Sequence, residues 1–414
     1  MVVQTQGNAG IQMFVNPGVA AQHVPYPEQL KKTLSLQGFE KAKGAIANWP
    51  GYEPTPLRRL DGLAARLDVK GVYYKDESSR FGLGSFKALG GAYAVGRLLV
   101  RELSRQTGRT HLDVDDLRRP EFQQALKDMT VTCATDGNHG RSVAWGARQY
   151  GCRCVIYIHE NVSAGREQAI ASYGARVVRV PGNYDDAVRK AAQDAQEHGY
   201  FVVSDTSYPG YMDVPKDVMQ GYSVMVQEAI DQIGDGQAPT HVFIQGGVGG
   251  LAAAVCAHLW EACGPARPRL IVVEPDKAAC LFESARAGKP VAVQGELDTV
   301  MAGLACGEVS LLAWDILASG AFAFMTIPDE AALAAMRELA AAEVGDTPIV
   351  AGESAVAGVA GCAIAAGNET WRQRLHLDQD SQVLFFASEG DTDPELYQRI
   401  VGKTADEVRA METT

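Results

Sequence analysis

The chain has no cysteine pair spaced as CxxC, no apolar run of 18 residues and no excess of positive charge. Each absence removes a class of function. Eight cysteines stand at 133, 152, 154, 256, 263, 280, 306 and 362, and Cys152 and Cys154 have no histidine or second cysteine pair nearby. That spacing suits neither a zinc site nor a disulfide framework, so reduced thiols in a cytoplasmic protein are the expectation. No segment is apolar for long enough to cross a bilayer, and the opening MVVQTQGNAG lacks the basic and apolar stretches of a secretory leader. Lysine and arginine number 38 against 50 aspartates and glutamates, a net charge of −12, which argues against nucleic acid or an anionic membrane as the main partner. The plain reading of that charge is solubility. The sharper one is a field that draws in a cationic small molecule.

What is present in surplus is glycine, 43 of 414 residues against a usual ~7%. Much of it punctuates an alternation of short apolar runs and helical periods. After an irregular or partly helical arm, GVYYK (71–75) reads as a strand and FKALGGAYAVGRLLVREL (86–103) as a helix. Residues 104–128 are charged and read as a surface excursion. Strands at 129–135, 152–160, 175–182 and 200–206 then alternate with helices at 139–150, 164–174 and 184–199. A helix over 218–233, the buried strand HVFIQ (241–245), a helix over 251–263, the strand RLIVVEP (269–275) and a last strand in QVLFFASEGD (382–391) follow. This order predicts an α/β fold of open, twisted, mostly parallel sheets flanked by helices, and the length fits two domains or one large α/β unit.

Four places concentrate chemistry. In GLGSFKALGG (82–91), Lys87 opens a helix among Ala88, Leu89, Ala92, Tyr93 and Val95. A lysine there is ordinarily solvated, but a desolvated one becomes a nucleophile or a base. TDGNHG (135–140) is a strand-to-helix turn whose Asn138 amide can donate and accept, and in which Asp136 or Asn138 could equally cap the helix. GGVGG (246–250) lets successive backbone N–H groups face a phosphate at a helix start. It matches neither the dinucleotide fingerprint nor a Walker loop, so it suits a single phosphomonoester. ASEGDTD (387–393) puts Ser388 at the carboxyl end of a parallel strand, where ligands bind in such sheets, although a surface turn would look the same.

In this order the four motifs resemble the tryptophan synthase β-type, or fold type II, family of pyridoxal-phosphate enzymes, over roughly 55–400. The resemblance implies a homodimer with an arm over 1–44, a large domain of 45–90 and 205–414, and a small domain of 91–204. It implies pyridoxal 5'-phosphate as cofactor and no metal. Lys87 would carry the cofactor covalently, and Asn138 would bond its phenolic oxygen. Gly246, Gly247, Val248, Gly249 and Gly250 would cradle its phosphate, and Ser388 would contact the pyridine nitrogen. A neutral hydroxyl at that nitrogen favours β-elimination or β-replacement over transamination.

Two departures narrow the resemblance. The residue before Gly-Asn-His is the acid Asp136, and the closing turn is Ser-Glu-Gly-Asp rather than the dehydratases' Ser-Gly-Gly-Asn. A further acid, Asp205, lies in SDTSYPGY, with DVMQGY (217–222) after it. This set is similar to that of the family's ammonia-lyases that split 2,3-diaminopropionate, L and D, into pyruvate and two ammonia molecules. Carboxylates at Asp136 and Asp205 would attract the extra ammonium and reject the hydroxyl of serine. Lys87 or Asp136 would remove the Cα proton. Glu353 in AGESAVAG is a further candidate beside the ring, His139 reads as a turn residue, and Lys75 and Asp76 read as structural. Two rivals remain: a serine or threonine dehydratase, or another β-eliminating or β-replacing lyase; and a non-catalytic protein that kept the cofactor scaffold.

Overall fold

The computed structural model describes residues 2–4, 10–135, 137–234 and 238–411. Its strands are β1 (Val2–Gln4), β2 (Gln12–Val15), β3 (Leu57–Arg59), β4 (Gly71–Asp76), β5 (Thr130–Ala134), β6 (Arg153–His159), β7 (Arg176–Val180), β8 (Phe201–Val202), β9 (His241–Gln245), β10 (Arg269–Pro275), β11 (Ala323–Ile327) and β12 (Gln382–Ala387). The chain divides into two compact units. One contains 1–36, 54–79 and 225–414, and the other contains 37–53 and 80–224.

The larger unit holds an eight-stranded sheet in the order β1-β2-β11-β10-β9-β12-β4-β3. Its five central strands, β11 through β4, are parallel, and β1, β2 and β3 pair antiparallel at the edges. Every residue of β4, β9, β11 and β12 is buried, so these strands read as short, mostly apolar runs and not as alternating ones. Parallel pairing aligns their carboxyl ends, so the loops after β9 and β12 emerge at one edge of the sheet. No helix among the described residues is long and apolar enough to cross a membrane.

The expected irregular arm differs from what is found. Gln12–Val15 joins the sheet beside β11, with Phe14 opposite Phe324 and Met13 opposite Met325. Asn16 fastens the join, its amide donating to Ala318 O at 3.0 Å and Ala321 O at 2.8 Å. A three-residue apolar run, Met13 to Val15, is too short a pattern to read as a strand.

The smaller unit holds a four-stranded, fully parallel sheet in the order β7-β6-β5-β8. Helix Lys87–Thr107 packs against helix Asn138–Tyr150 through glycines. A Cβ on Gly146 would stand 2.7 Å from Ala92 Cα, and one on Gly91 would stand 2.0 Å from Ser142 Oγ. The two backbones approach this closely only because both positions lack a side chain. Because the lysine helix packs here, the main segment of the smaller unit runs from 80, ahead of Lys87, to 224, with 37–53 added, where the sequence reading has 91–204.

Candidate active site

Lys87 is the first residue of its helix and is partly buried. The sequence suggests an apolar, desolvated setting, but a carboxylate lies against the amine. Lys87 Nζ donates to Asp205 Oδ2 at 2.7 Å, while the Phe86 and Tyr222 rings lie 5.5 and 5.9 Å from the same nitrogen. Opposite charge this close favours the ammonium form. Burial alone would raise the Asp205 carboxyl, but the Lys87 charge overrides it and holds the group well below the usual carboxylate range.

The expected strand over 200–206 is reduced to Phe201–Val202, and that shortening places Asp205. The Tyr211 hydroxyl donates to Val202 O at 2.9 Å and accepts from Ser204 N at 3.0 Å. It takes the bonds that a continuing strand would have made. Asp205 therefore stands on a loop, free to face Lys87.

The turn after β5 brings in a third group. Thr135 Oγ1 accepts from Gly137 N and Gly140 N, each at 3.0 Å, and so folds the chain into helix Asn138–Tyr150. A Cβ on Gly140 would stand 2.3 Å from Thr135 Cγ2, so the turn requires glycine there. Gly137 is the helix N-cap, and Asn138 is not. Asp136 itself lies outside the described residues. Asn138 opens the helix, half-buried. His139, expected as a turn residue, is buried in the first helical turn with Nδ1 3.9 Å from Asp205 Oδ2.

In the larger unit, GGVGG joins β9 to helix Gly250–Cys263. Gly249 is the N-cap at φ +98°, a left-handed conformation that an L side chain adopts only with strain. Gly247 and Val248 are half-buried and Gly249 and Gly250 buried. Gly246 N is committed to Val273 O at 2.9 Å, while the next N–H groups open a helix and have no helical acceptors. The loop is fixed from below. Glu274, buried on β10, accepts from Leu281 N at 2.8 Å and Phe282 N at 2.6 Å, and its Cγ would lie 3.1 Å from a Cβ on Gly246. Cys280 Sγ is 3.5 Å from Gly247 O.

Ser388 is buried directly after β12. Its neighbour Glu389, which sequence reasoning treated only as a departure from a pattern, is a brace. Glu389 Oε1 accepts from Ser354 N at 3.1 Å, and Ser354 Oγ accepts from Gly303 N at 2.9 Å. Gly303 O in turn lies 3.1 Å from a Cβ position on Gly247. One chain of contacts thus ties the Ser388 turn to the glycine loop. Glu353 is buried beside this brace. Lys75 is a buried structural cation, donating to Thr55 O at 2.7 Å and paired with Glu228 Oε2 at 2.7 Å. Asp391 pairs with Arg409 at 2.6 Å.

Comparison with known proteins places these motifs. A family model described as pyridoxal-phosphate dependent enzyme matches residues 49–389. The chain is 42% identical over 357 residues to diaminopropionate ammonia-lyase of Escherichia coli K12, which covers 85% of this chain and 88% of that one. It is 41% identical over 360 residues to the Salmonella typhimurium LT2 protein of the same name, covering 85% and 89%. Its fold is similar to that of the crystal structure of the E. coli diaminopropionate ammonia lyase in complex with an aminoacrylate-PLP azomethine reaction intermediate. The TM-score is 0.84 at 38% identity, covering 94% of this chain and 96% of that one. A lysine facing a carboxylate, a glycine loop at a helix start and a buried serine at a strand end stand within the matched segment, and the chain belongs to the family of pyridoxal-phosphate dependent enzymes.

Proposed function

We propose that this protein cleaves 2,3-diaminopropionate to pyruvate and two ammonia molecules by α,β-elimination. The observation that carries the reading is the carboxylate on the reactive lysine. Asp205 stands 2.7 Å from Lys87 Nζ, where it would meet an amino acid bearing a second ammonium group. The likeness to lyases named for that substrate, over most of both chains, supports it.

The residues present fit the cofactor. The glycine loop offers backbone donors at a helix start, with no side chain on Gly247, Gly249 or Gly250 to fill the space, and suits a phosphomonoester. Lys87 would hold the group covalently, Asn138 would bond its phenolic oxygen, and Ser388 would face its pyridine nitrogen. When bound, the group withdraws electrons from the substrate's Cα and so acidifies the Cα–H bond.

The protein's own part is to bind, orient and move protons. Asp205 would attract the β-ammonium, and its carboxylate would be left unpaired by serine, whose hydroxyl carries no charge. Lys87 Nζ would take the Cα proton from one face and Asp136 from the other, which admits both the L and the D isomer. The Cβ–N bond breaks and the β-nitrogen leaves as ammonia, carrying the proton that it and Asp205 share between them. One water completes the balance, giving pyruvate and a second ammonia.

All eight cysteines are free thiols, which suits a reducing cytoplasm, and a cytoplasmic homodimer in amino-acid catabolism is part of the same proposal. The test counts products from the purified holoenzyme. Two ammonia per pyruvate from the diamine, with slow release from L-serine, is the expected result. Rapid serine turnover with an inert diamine would overturn it in favour of a dehydratase.

A further inference from the structure

His139 has one satisfied ring nitrogen and one orphan. Its Nε2 lies 2.8 Å from Val203 O. A carbonyl only accepts, so Nε2 carries the proton and donates it. Burial, the largest influence on this ring, lowers its affinity for a second proton. The neutral imidazole therefore presents a bare lone pair at Nδ1. That atom is buried without a hydrogen-bond partner and faces Asp205 Oδ2 at 3.9 Å. Two acceptors facing each other repel, and a buried acceptor without a donor destabilises the fold.

The arrangement is favourable in one circumstance, when a proton enters the gap. The oxygen facing Nδ1 is the same Oδ2 that pairs with Lys87 Nζ. If Lys87 releases its proton to Oδ2, the N–H bond at Nζ breaks, an O–H bond forms at Oδ2, and the lysine regains its lone pair. The new O–H then has an acceptor in Nδ1, reached when the 3.9 Å gap closes by about 1 Å to hydrogen-bond length. We propose that His139 is a positioning residue that makes Asp205 a proton store. It stabilises the protonated carboxyl while Lys87 is a free amine, and so keeps a proton ready for the departing ammonia. This inference rests on the elimination reading above, and it extends that reading to an atom for which the sequence had no use.

Among the described residues, Cys133 on β5 and Tyr211 and Tyr222 also face this cluster, and all three are pushed up by burial and stay neutral at ordinary pH. Of the described groups, Lys87, Asp205 and His139 are the ones that share the proton.

Two substitutions separate this role from simple support of the turn. His139→Gln places an amide N–H at the Nε2 position, so it keeps the Val203 bond and loses the Nδ1 acceptor. His139→Asn places an amide near Nδ1, so it keeps an acceptor and loses the Val203 bond. The proposal predicts that the glutamine variant loses about 10- to 100-fold in kcat at little changed KM, with an altered pH profile, and that asparagine restores part of it. A structural role predicts the reverse order, and that result would overturn the proposal.

A second readout does not depend on turnover. In protein without cofactor, labelled with 15N-histidine, the His139 Nδ1 signal should be that of a bare lone-pair nitrogen and should move when Asp205→Asn supplies an N–H to it. A protonated Nδ1, or one indifferent to Asp205→Asn, would contradict the proposal. If the diamine is inert while the nitrogen behaves as expected, the substrate reading fails and the proton store stands. If the diamine reacts but the two variants follow the structural order, the reverse holds.

Discussion

Lys87 and Asp205 lie 118 positions apart in sequence and 2.7 Å apart in space, and their pairing is the main electrostatic feature of the candidate site. Lys87→Ala should abolish both the yellow colour of the purified holoenzyme and its turnover. Asp205→Asn should keep the colour and lose about 10²- to 10⁴-fold in kcat, the span of a missing acid–base group, read by steady-state kinetics on the diamine. Lys87 was legible because SFK opens an apolar helix, and Asp205 was legible as an acid near a strand end. Their contact was not, because it depends on Tyr211 ending β8 early. The sequence leaves His139 a turn residue for a similar reason: a GNH triplet does not disclose which way its ring faces. Glu389 was noted only as a mismatch, since its use as a brace depends on Ser354, 35 positions away.

At the scale of elements, the alternation of apolar strands and helices was read correctly through most of 71–275, because parallel buried strands are short continuous apolar runs. The edge strands Gln12–Val15 and Leu57–Arg59 escaped notice, as did β11, being three to five residues long and without a distinguishing period. Two glycines carry measurable predictions. Gly249→Ala forces a side chain into φ +98° at the loop, and it should weaken retention of the cofactor on dialysis and cost roughly 1 kcal/mol of stability. Gly146→Val drives a branched side chain into Ala92 Cα, 2.7 Å from its Cβ, and should cost about 1–3 kcal/mol in urea unfolding while leaving the colour of the folded fraction unchanged.

For the whole molecule, stability should depend on pH through a histidine remote from these residues. His241, the first residue of β9, is buried with Nε2 2.9 Å from Leu375 O and Nδ1 2.8 Å from Thr240 Oγ1. Burial holds its pKa down to about 4, below the usual 6.5 of a histidine. The unfolded chain thus binds a proton that the folded chain refuses, and stability falls as pH drops from 6.5 towards 4. The loss should reach about 3 kcal/mol across that window, and His241→Gln should flatten it in urea midpoints taken at several pH values. A midpoint shift unchanged in the variant would assign the effect to other groups.

The central claim is that an acidic residue at the lysine selects a diamine over a hydroxy amino acid. The direct measurement is the ratio of kcat/KM for 2,3-diaminopropionate to that for L-serine, in the wild-type holoenzyme and in Asp205→Asn. The account predicts a large ratio that collapses in the variant, because the amide no longer favours a cation. A ratio that survives the substitution, or that favours serine from the start, would contradict it.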